Sequence, residues 1–251
     1  AAGAVLVAVV LMFHLLVDAT IPTASWGLSF GETGQTPTGP AGADVLARYD
    51  AVFVGDTTQK RLYLTFDAGY ENGNVAKVLD VLQKHDAKGA FFILPGIIKI
   101  SPHVVIRMAE EGHLVCNHST SHKNMATINS LEEFRKELQG VEEAYTALTG
   151  KTMAKFFRPP EGTFSENTLK FCEELGYTPV FWSYAYADWD NNSQMNEAKA
   201  LEKLLSNLHP GEVLLLHPTS ATNAAILDTF LTKAKEQGYR FGTYGDAMLI
   251  L

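Results

Sequence analysis

The amino-acid sequence predicts an α/β protein, a closed or nearly closed barrel of parallel strands joined by helices, and three observations support this prediction. Short apolar runs alternate with amphipathic stretches of helical period, which is the pattern of a parallel sheet. Glycines follow the predicted helices, where a left-handed C-cap is needed, at Gly89, Gly112, Gly176 and Gly238. The alternation extends over most of the 251 residues, which favours one barrel over two domains.

The individual elements are predicted from hydrophobic periodicity. The runs predicted to be buried strands are residues 62–66, 90–94, 114–116, 155–157, 179–182 and 213–216. The stretches predicted to be helices are residues 75–85, 102–111, 131–148, 165–175, 197–208 and 224–237. Strand and helix therefore alternate without interruption, so the loops that follow the carboxyl ends of the strands should gather at one mouth of the barrel.

The chain is predicted to have three segments. Residues 1–24 contain an almost continuous apolar run, which predicts a signal peptide or N-terminal anchor and an exported protein. A buried first helix is the alternative, because no Lys or Arg precedes Arg48. Residues 25–58, rich in Gly, Pro, Thr and Ser, are predicted to form an extended N-terminal arm. Residues 59–251 are predicted to form the catalytic domain.

Composition limits the partners. The chain carries 20 basic and 28 acidic side chains, a net charge of −8, which disfavours nucleic acid and non-specific binding to anionic membranes. We expect a monomer. Cys116 and Cys172 lie in apolar surroundings without metal-finger spacing, which favours free buried thiols over a disulfide or metal ligands.

Polar residues stand directly after four of the predicted strands. They are Asp67, His118, Arg158 and His217. One such residue would be explained by a cap or a core hydrogen bond, but four of complementary chemistry indicate a shared site at the mouth of the barrel. His118 and His122 also have the i, i+4 spacing that would place two imidazoles on one side of a helical turn, able to bind one divalent metal. Alone, this pair is a weak signal, and two surface histidines would be the better interpretation.

Five short motifs occur in order along the chain. They are TFDAG at 65–69, HSTSH at 118–122, RPPEG at 158–162, DW at 188–189 and LLLH at 214–217. Together they resemble the motifs of the NodB-type polysaccharide deacetylases, carbohydrate esterase family 4, and the resemblance extends from residue 62 to the C-terminus. It implies a distorted (β/α) barrel of the NodB type.

The resemblance also implies roles for the residues that hydrolyse the acetamide. Asp67 would be the general base that takes a proton from the attacking water, and Arg158 would orient it through a bidentate ion pair. His118 and His122 would hold a divalent metal, which we expect to be zinc. The backbone N–H of Glu161 would help to stabilise the oxyanion.

A second group of implied roles concerns the leaving group and the sugar. His217 would protonate the leaving amine, with its pKa held up by the carboxylate of Asp188. The resemblance implies that Gly162 contacts substrate. Trp182 and Trp189 would do so as well, since aromatic faces suit sugar rings. For the two tryptophans, packing in the core is the competing interpretation.

Two positions depart from the family pattern. Ala68 stands where the family has a second aspartate that completes the metal site, so we expect weak metal binding unless an oxygen of Glu71 or Asn72 takes its place. Glu71 and Asn72 are also expected to contact substrate. Glu161 replaces the common tyrosine after the two prolines, and its side chain either contacts substrate or faces solvent.

The segment TFDAGYENG at 65–73 resembles a subgroup that deacetylates N-acetylmuramic acid lacking its stem peptide, on the way to muramic δ-lactam in spore cortex. The implied partner is a peptidoglycan glycan strand at the cell envelope or on the cortex side of the membrane. Arg158, Lys155 or a bound metal would hold the exposed lactyl carboxylate. The alternatives are a deacetylase of peptidoglycan GlcNAc, chitin or xylan, or a carbohydrate-binding protein that has lost hydrolysis.

Overall fold

The computed structural model describes residues 23–39 and 43–242. The strands are β1 (Ala24–Ser25), β2 (Arg61–Ala68), β3 (Gly89–Ile93), β4 (Leu114–Asn117), β5 (Phe156–Phe157), β6 (Thr163–Phe164), β7 (Thr178–Pro179), β8 (Glu212–Leu216) and β9 (Arg240–Phe241). The helices are α1 (Ala43–Ala47), α2 (Asn74–Lys84), α3 (Pro95–Ile100), α4 (Pro102–Glu110), α5 (Leu131–Thr149), α6 (Glu166–Glu174), α7 (Glu197–Ser206) and α8 (Ala221–Glu236).

The main sheet is parallel and curls towards closure. Its order is β7-β5-β4-β3-β2-β8, and β9 pairs with the start of β2. The chain beyond β7 then reaches β8, where Tyr184 forms a parallel bridge with Leu214 and its carbonyl accepts a 2.9 Å hydrogen bond from Leu215 N–H. The prediction of a distorted (β/α) barrel is confirmed.

Alternation along β2 explains how the fold presents its site. Leu62, Leu64 and Phe66 are fully buried against the helices in the largest core cluster, and each such side chain contributes about 1.5–3 kcal/mol when removed from water. Tyr63 belongs instead to the cluster inside the barrel. Because successive side chains of a strand point to opposite faces, Asp67 shares the inner face with Tyr63.

The predicted glycine caps are observed at three of four positions. Gly112, Gly176 and Gly238 have φ of 80°, 69° and 86°. Gly89 is different, since it is the first residue of β3, and a Cβ there would come within 2.9 Å of the Phe66 ring. Its lack of a side chain therefore permits close packing of neighbouring strands, so its assignment as a C-cap was wrong.

The segment before β2 lies against the barrel rather than apart from it. β1 pairs antiparallel with β6, and the indole N–H of Trp26 donates to the Trp182 carbonyl at 2.8 Å. The predicted segment 1–24 falls almost entirely outside the described residues. Within residues 23–39 and 43–242, no helix has the length and apolar character required to span a membrane. Cys116 and Cys172 are both buried and free, as predicted.

Candidate active site

A cavity of about 700 Å³ opens at the carboxyl ends of β2, β4 and β8. Its ionisable lining consists of Asp67, His118, His122, Glu161 and His217. Its aromatic lining consists of Tyr70, Trp182, Tyr186 and Trp189. The structure therefore brings Asp67 and His217, which are 150 residues apart in the sequence, to the same cavity.

The base and its arginine form a buried ion pair. Nη1 of Arg158 donates to Oδ1 of Asp67 at 2.7 Å, and the arginine side chain has no exposed surface. Nη2 donates instead to Thr65 Oγ1 at 2.9 Å and to the Phe181 carbonyl at 3.2 Å. The predicted bidentate geometry was therefore wrong, because Thr65 and the backbone occupy the second arm of the guanidinium.

Electrostatics keep Asp67 ionised. Burial alone raises the pKa of its carboxyl, but the positive charge of Arg158 and the hydrogen bond from it outweigh burial and hold this pKa below its ordinary value. The guanidinium lies 4.2 Å from the ring of Phe92, which packs one of its faces. Asp67 is thus available as a proton acceptor at neutral pH.

His118 presents an unprotonated nitrogen to the same carboxylate. Its Nδ1 donates to the Arg158 carbonyl at 2.8 Å, which fixes the tautomer and leaves the lone pair on Nε2. Burial lowers the pKa of His118 to about 4, so the ring is neutral. Nε2 lies 3.6 Å from Oδ2 of Asp67. The free lone pair on Nε2 makes this imidazole suitable as a metal ligand.

His122 reaches the site from a loop. No helix occurs between β4 and residue 125, so the predicted helical turn is wrong. Ser119 and His122 instead have φ of 70° and 54°, and the loop is held by Ser119 Oγ, which accepts from His122 N–H at 3.0 Å. The ring centroids of His118 and His122 are nevertheless 5.1 Å apart, and the His122 residue is exposed.

The donor set fits a divalent metal only in part. The two imidazoles can bind one ion, and their nitrogens suit zinc. Ala68 is fully buried in the apolar core and offers no ligand atom. Glu71 and Asn72 do not line the cavity: Glu71 Oε1 accepts from Gly73 N–H, and the Asn72 amide donates to a backbone carbonyl. Across the described chain, no three His, Cys, Asp or Glu side chains form a metal-binding group.

The acid pair lies beside the base, because His217 follows β8, which pairs with the strand β2 that carries Asp67. Nδ1 of His217 lies 2.7 Å from Oδ1 of Asp188, and the backbone N–H of His217 donates to Oδ2 at 2.8 Å. Burial lowers the pKa of His217, but the hydrogen bond and charge of Asp188 outweigh it, so the pKa is raised above its ordinary value. The proton on Nδ1 faces Asp188, which leaves Nε2 as the nitrogen that can exchange a proton with a substrate.

The loop after the two prolines adopts an unusual backbone. Glu161 has φ of 57°, a left-handed conformation rare for a residue with a side chain, and this exposed residue lines the cavity. Gly162 follows with φ of 64°, and a Cβ there would lie 2.7 Å from both Trp182 and Trp26. Gly162 is buried and is not part of the lining, so its place in the fold is beneath Trp182.

Three aromatic residues suit contact with sugar rings. Trp189 is 62% exposed, which excludes the competing interpretation of core packing, and Trp182 is half-buried with its ring at the cavity. Tyr70 was not predicted; it is 45% exposed and its hydroxyl accepts a hydrogen bond from the Asn191 amide. Its only sequence signal was its position three residues after the base.

The side chains expected to hold a substrate carboxylate are not available for it. Arg158 is fully buried beneath Asp67. Lys155 pairs with Glu142 and lies 4.5 Å from the ring centroid of Tyr177, outside the cavity lining. Within the part of the chain that the structure describes, no Lys or Arg lines this cavity. Of the three candidates, only a bound metal remains.

Comparison with known proteins agrees with this geometry. A model of the family described as polysaccharide deacetylase matches residues 54–180. The chain is 41% identical over 225 residues to the peptidoglycan-N-acetylmuramic acid deacetylase PdaA of Bacillus subtilis, which covers 89% of this chain and 85% of PdaA. It is 34% identical to the peptidoglycan-N-acetylglucosamine deacetylase of Bacillus cereus, with 78% of this chain and 71% of that protein covered.

The solved structure of B. subtilis PdaA, described as a family 4 carbohydrate esterase, matches this fold with a TM-score of 0.85 at 40% identity. The match covers 89% of this chain and 96% of that one. Its extent goes well beyond the five motifs and includes the arm that precedes β2. This chain belongs to the polysaccharide deacetylase family, family 4 of the carbohydrate esterases.

Proposed function

We propose that this chain removes the acetyl group from N-acetylmuramic acid of peptidoglycan, acting on muramic acid that has lost its stem peptide. The observation that carries the proposal is the 41% identity with a peptidoglycan-N-acetylmuramic acid deacetylase over nearly the whole chain. The product amine would close on the lactyl carboxylate to give muramic δ-lactam, the modification of spore cortex. The partner is then the glycan strand, and the protein acts as an exported monomer at the envelope or cortex.

The chain's own residues account for the proton transfers. Ionised Asp67, held by Arg158, accepts a proton from the water whose oxygen attacks the acetyl carbon. The backbone N–H of Glu161 stabilises the negative oxygen that develops there. As the C–N bond breaks, Nε2 of protonated His217 donates to the leaving nitrogen, while Asp188 stabilises the imidazolium. The products are acetate and the free amine.

Deacetylases of this family depend on a metal in general. In this chain His118 and His122 would hold it, with zinc as the proposed ion. When bound, such a cation polarises the acetyl carbonyl and increases the acidity of water. Because only two imidazoles are available in the described part of the chain, we propose that the ion is held weakly.

Mass spectrometry of digested muropeptides tests the substrate. Peptidoglycan is first treated with an amidase to remove stem peptides and then incubated with the protein and zinc. The proposal requires loss of one acetyl mass from muramic acid residues, and it requires little deacetylation when the amidase is omitted. Deacetylation confined to GlcNAc would contradict the choice of substrate, and absence of acetate release under every metal condition would favour a carbohydrate-binding protein.

One observation favours the second candidate, a peptidoglycan GlcNAc deacetylase. The carboxylate of Glu161 lines a cavity in which the described residues supply no Lys or Arg, and a lactyl carboxylate would be repelled there. GlcNAc carries no such charge. Replacing Glu161 by Gln separates the two: the variant should gain activity on peptide-free muramic acid if that is the substrate, and should be indifferent to the lactyl group if GlcNAc is the substrate.

A further inference from the structure

Asp188 accepts a third hydrogen bond that no motif predicts. Besides its two bonds with His217, its Oδ2 accepts from the side-chain amide of Asn223 at 2.5 Å. The same amide nitrogen donates to the His217 carbonyl at 3.1 Å. Asn223 is 2% exposed and lies in the first turn of α8, so it contacts both members of the acid pair from behind the cavity.

The orientation of this amide is determined by its neighbours. Both a carboxylate and a backbone carbonyl can only accept, so the NH₂ end of Asn223 must face Asp188 and His217. Its Oδ1 then faces Tyr186, whose hydroxyl donates to it. The result is an ordered chain of donors and acceptors in which Tyr186 orients Asn223, Asn223 orients Asp188, and Asp188 orients His217.

Other contacts hold the backbone around this chain in place. The N–H of Asn223 donates to Ser220 Oγ at 3.0 Å, and Ser220 Oγ donates to Gln194 Oε1 at 2.5 Å. The Gln194 amide donates in turn to the carbonyl of Asp188 at 3.0 Å. The loop that carries Asp188 and the helix that carries Asn223 are therefore joined independently of the side-chain bond between them.

We propose that Asn223 and Tyr186 are positioning residues for the acid pair. Fixing the Asp188 carboxylate keeps Oδ1 on the Nδ1–H of His217, so the proton that the imidazolium donates to the substrate is the one on Nε2. Besides Asp188, the charged groups that act on His217 are Asp67 on the neighbouring strand and Arg158, which is bonded to Asp67. This inference rests on the deacetylation proposed above, in which His217 is the acid.

Three variants and a spectroscopic measurement test the assignment. In Asn223→Ala we expect kcat for acetate release to fall about tenfold with KM unchanged, because general acid catalysis loses its alignment while the substrate contacts remain. Tyr186→Phe should lower kcat less, and should have no further effect in the Asn223→Ala background, since Tyr186 acts through Asn223. Nitrogen-15 NMR of the imidazole rings, recorded at a pH high enough for His217 to be neutral, should show its Nδ1–H tautomer in the wild type and a mixture of tautomers in Asn223→Ala.

Asn74→Ala is the matched control. Asn74 is also a buried asparagine, and its amide donates to the Thr219 carbonyl at 3.0 Å, but it does not bond to the acid pair. We expect wild-type kcat and a wild-type tautomer for this variant. The proposal is overturned if Asn223→Ala keeps its kcat within about twofold together with the Nδ1–H tautomer, or if the effects of Tyr186→Phe and Asn223→Ala on kcat are additive. If the wild type releases no acetate, the proposed function is refuted but the positioning proposal is not. The NMR measurement would then still show whether Asn223 fixes the tautomer of His217.

Discussion

The two halves of the site differ in what holds their side chains in place. In the acid–base half, Asp67 is bonded to a fully buried arginine, and the carboxylate of Asp188 accepts three hydrogen bonds from its surroundings. In the metal half, His118 is anchored by one backbone carbonyl, whereas His122 is exposed on a loop. Ala68 leaves the third usual ligand position without a donor atom.

This difference indicates that the acid–base half is formed by folding, whereas the metal half is completed by binding. Buried polar groups that are satisfied by the protein have one stable arrangement, which does not depend on an ion. The imidazoles of His118 and His122, by contrast, would gain a shared partner only when a cation is bound. The predictions below therefore separate effects on proton transfer from effects on metal affinity.

Replacing the base should have the largest effect. In Asp67→Asn we expect activity to fall about 10³- to 10⁴-fold, because the amide cannot accept the proton from water. The fold should persist, since the amide oxygen can still accept from Arg158. Acetate release and thermal unfolding measure the two effects. Asp80→Asn is the control: Asp80 is an exposed aspartate that pairs with Arg107, and its replacement should leave activity at the wild-type level. Wild-type turnover in Asp67→Asn would refute the base assignment.

Replacing the acid should have the next largest effect, together with a change in the pH profile. The raised pKa of His217 means that the ring is protonated below that pKa and loses its proton as pH rises through it, at a pH above its ordinary 6.5. Wild-type activity should therefore decline on the basic side. In His217→Ala we expect about 10²- to 10³-fold lower activity. The loss of activity at high pH that deprotonation of His217 causes should be absent from this variant. His103→Ala, on an exposed histidine, should leave the profile unchanged.

Replacing a ligand in the metal half should lower the affinity for zinc without lowering the stability of the metal-free protein. His122→Ala should weaken zinc binding about 10- to 100-fold, because one of two imidazole ligands is lost. The melting temperature of the metal-free protein should not change, since the residue is exposed. Calorimetric titration with zinc and thermal unfolding in chelator measure these quantities. An unchanged zinc affinity would mean that His122 is not a ligand.

Restoring a carboxylate at position 68 should have the smallest effect on affinity, an increase of about tenfold in Ala68→Asp. Because Ala68 is fully buried, the new carboxylate should also lower the melting temperature in chelator, and zinc should recover part of this loss. Ala68→Asn has nearly the same volume without the charge and serves as the control. Equal zinc affinity in Ala68→Asp and the wild type would show that the coordination position is not open.

The sequence predicted the elements that carry the site because apolar periodicity is strong there. Each of the six predicted strands overlaps an observed strand, although the predicted strand 179–182 is reduced to two residues in β7. The short strands β1, β6 and β9 were missed, since two-residue strands have no period. The helices α1 and α3 were missed as well. α1 lies in the segment predicted as an extended arm, and Pro95 and Gly96 at the start of α3 are typical of a turn.

Prediction of the site succeeded where a motif residue follows a strand. It failed where tertiary contacts determine the conformation of a loop or the partner of a side chain. The pairing of His217 with Asp188 was expected and is observed. The loop conformation at His122 could not be predicted, since it depends on hydrogen bonds that the loop's N–H groups donate to Ser119 Oγ and to the carboxylate of Glu137 on α5. Asn223 carries no local signal, and Thr65, although it begins the first motif, was given no role, because only the folded barrel brings these two residues beside Asp188 and Arg158.

The most direct test of the central claim is acetate release by metal-free protein as zinc is added, with amidase-treated peptidoglycan as substrate. An acid–base half that is already formed, combined with a weakly held ion, predicts no activity in chelator and activity that saturates only when zinc exceeds the protein concentration. Asp67→Asn should stay inactive at every zinc concentration. Full activity in excess chelator, or no acetate at any zinc concentration, would contradict the account.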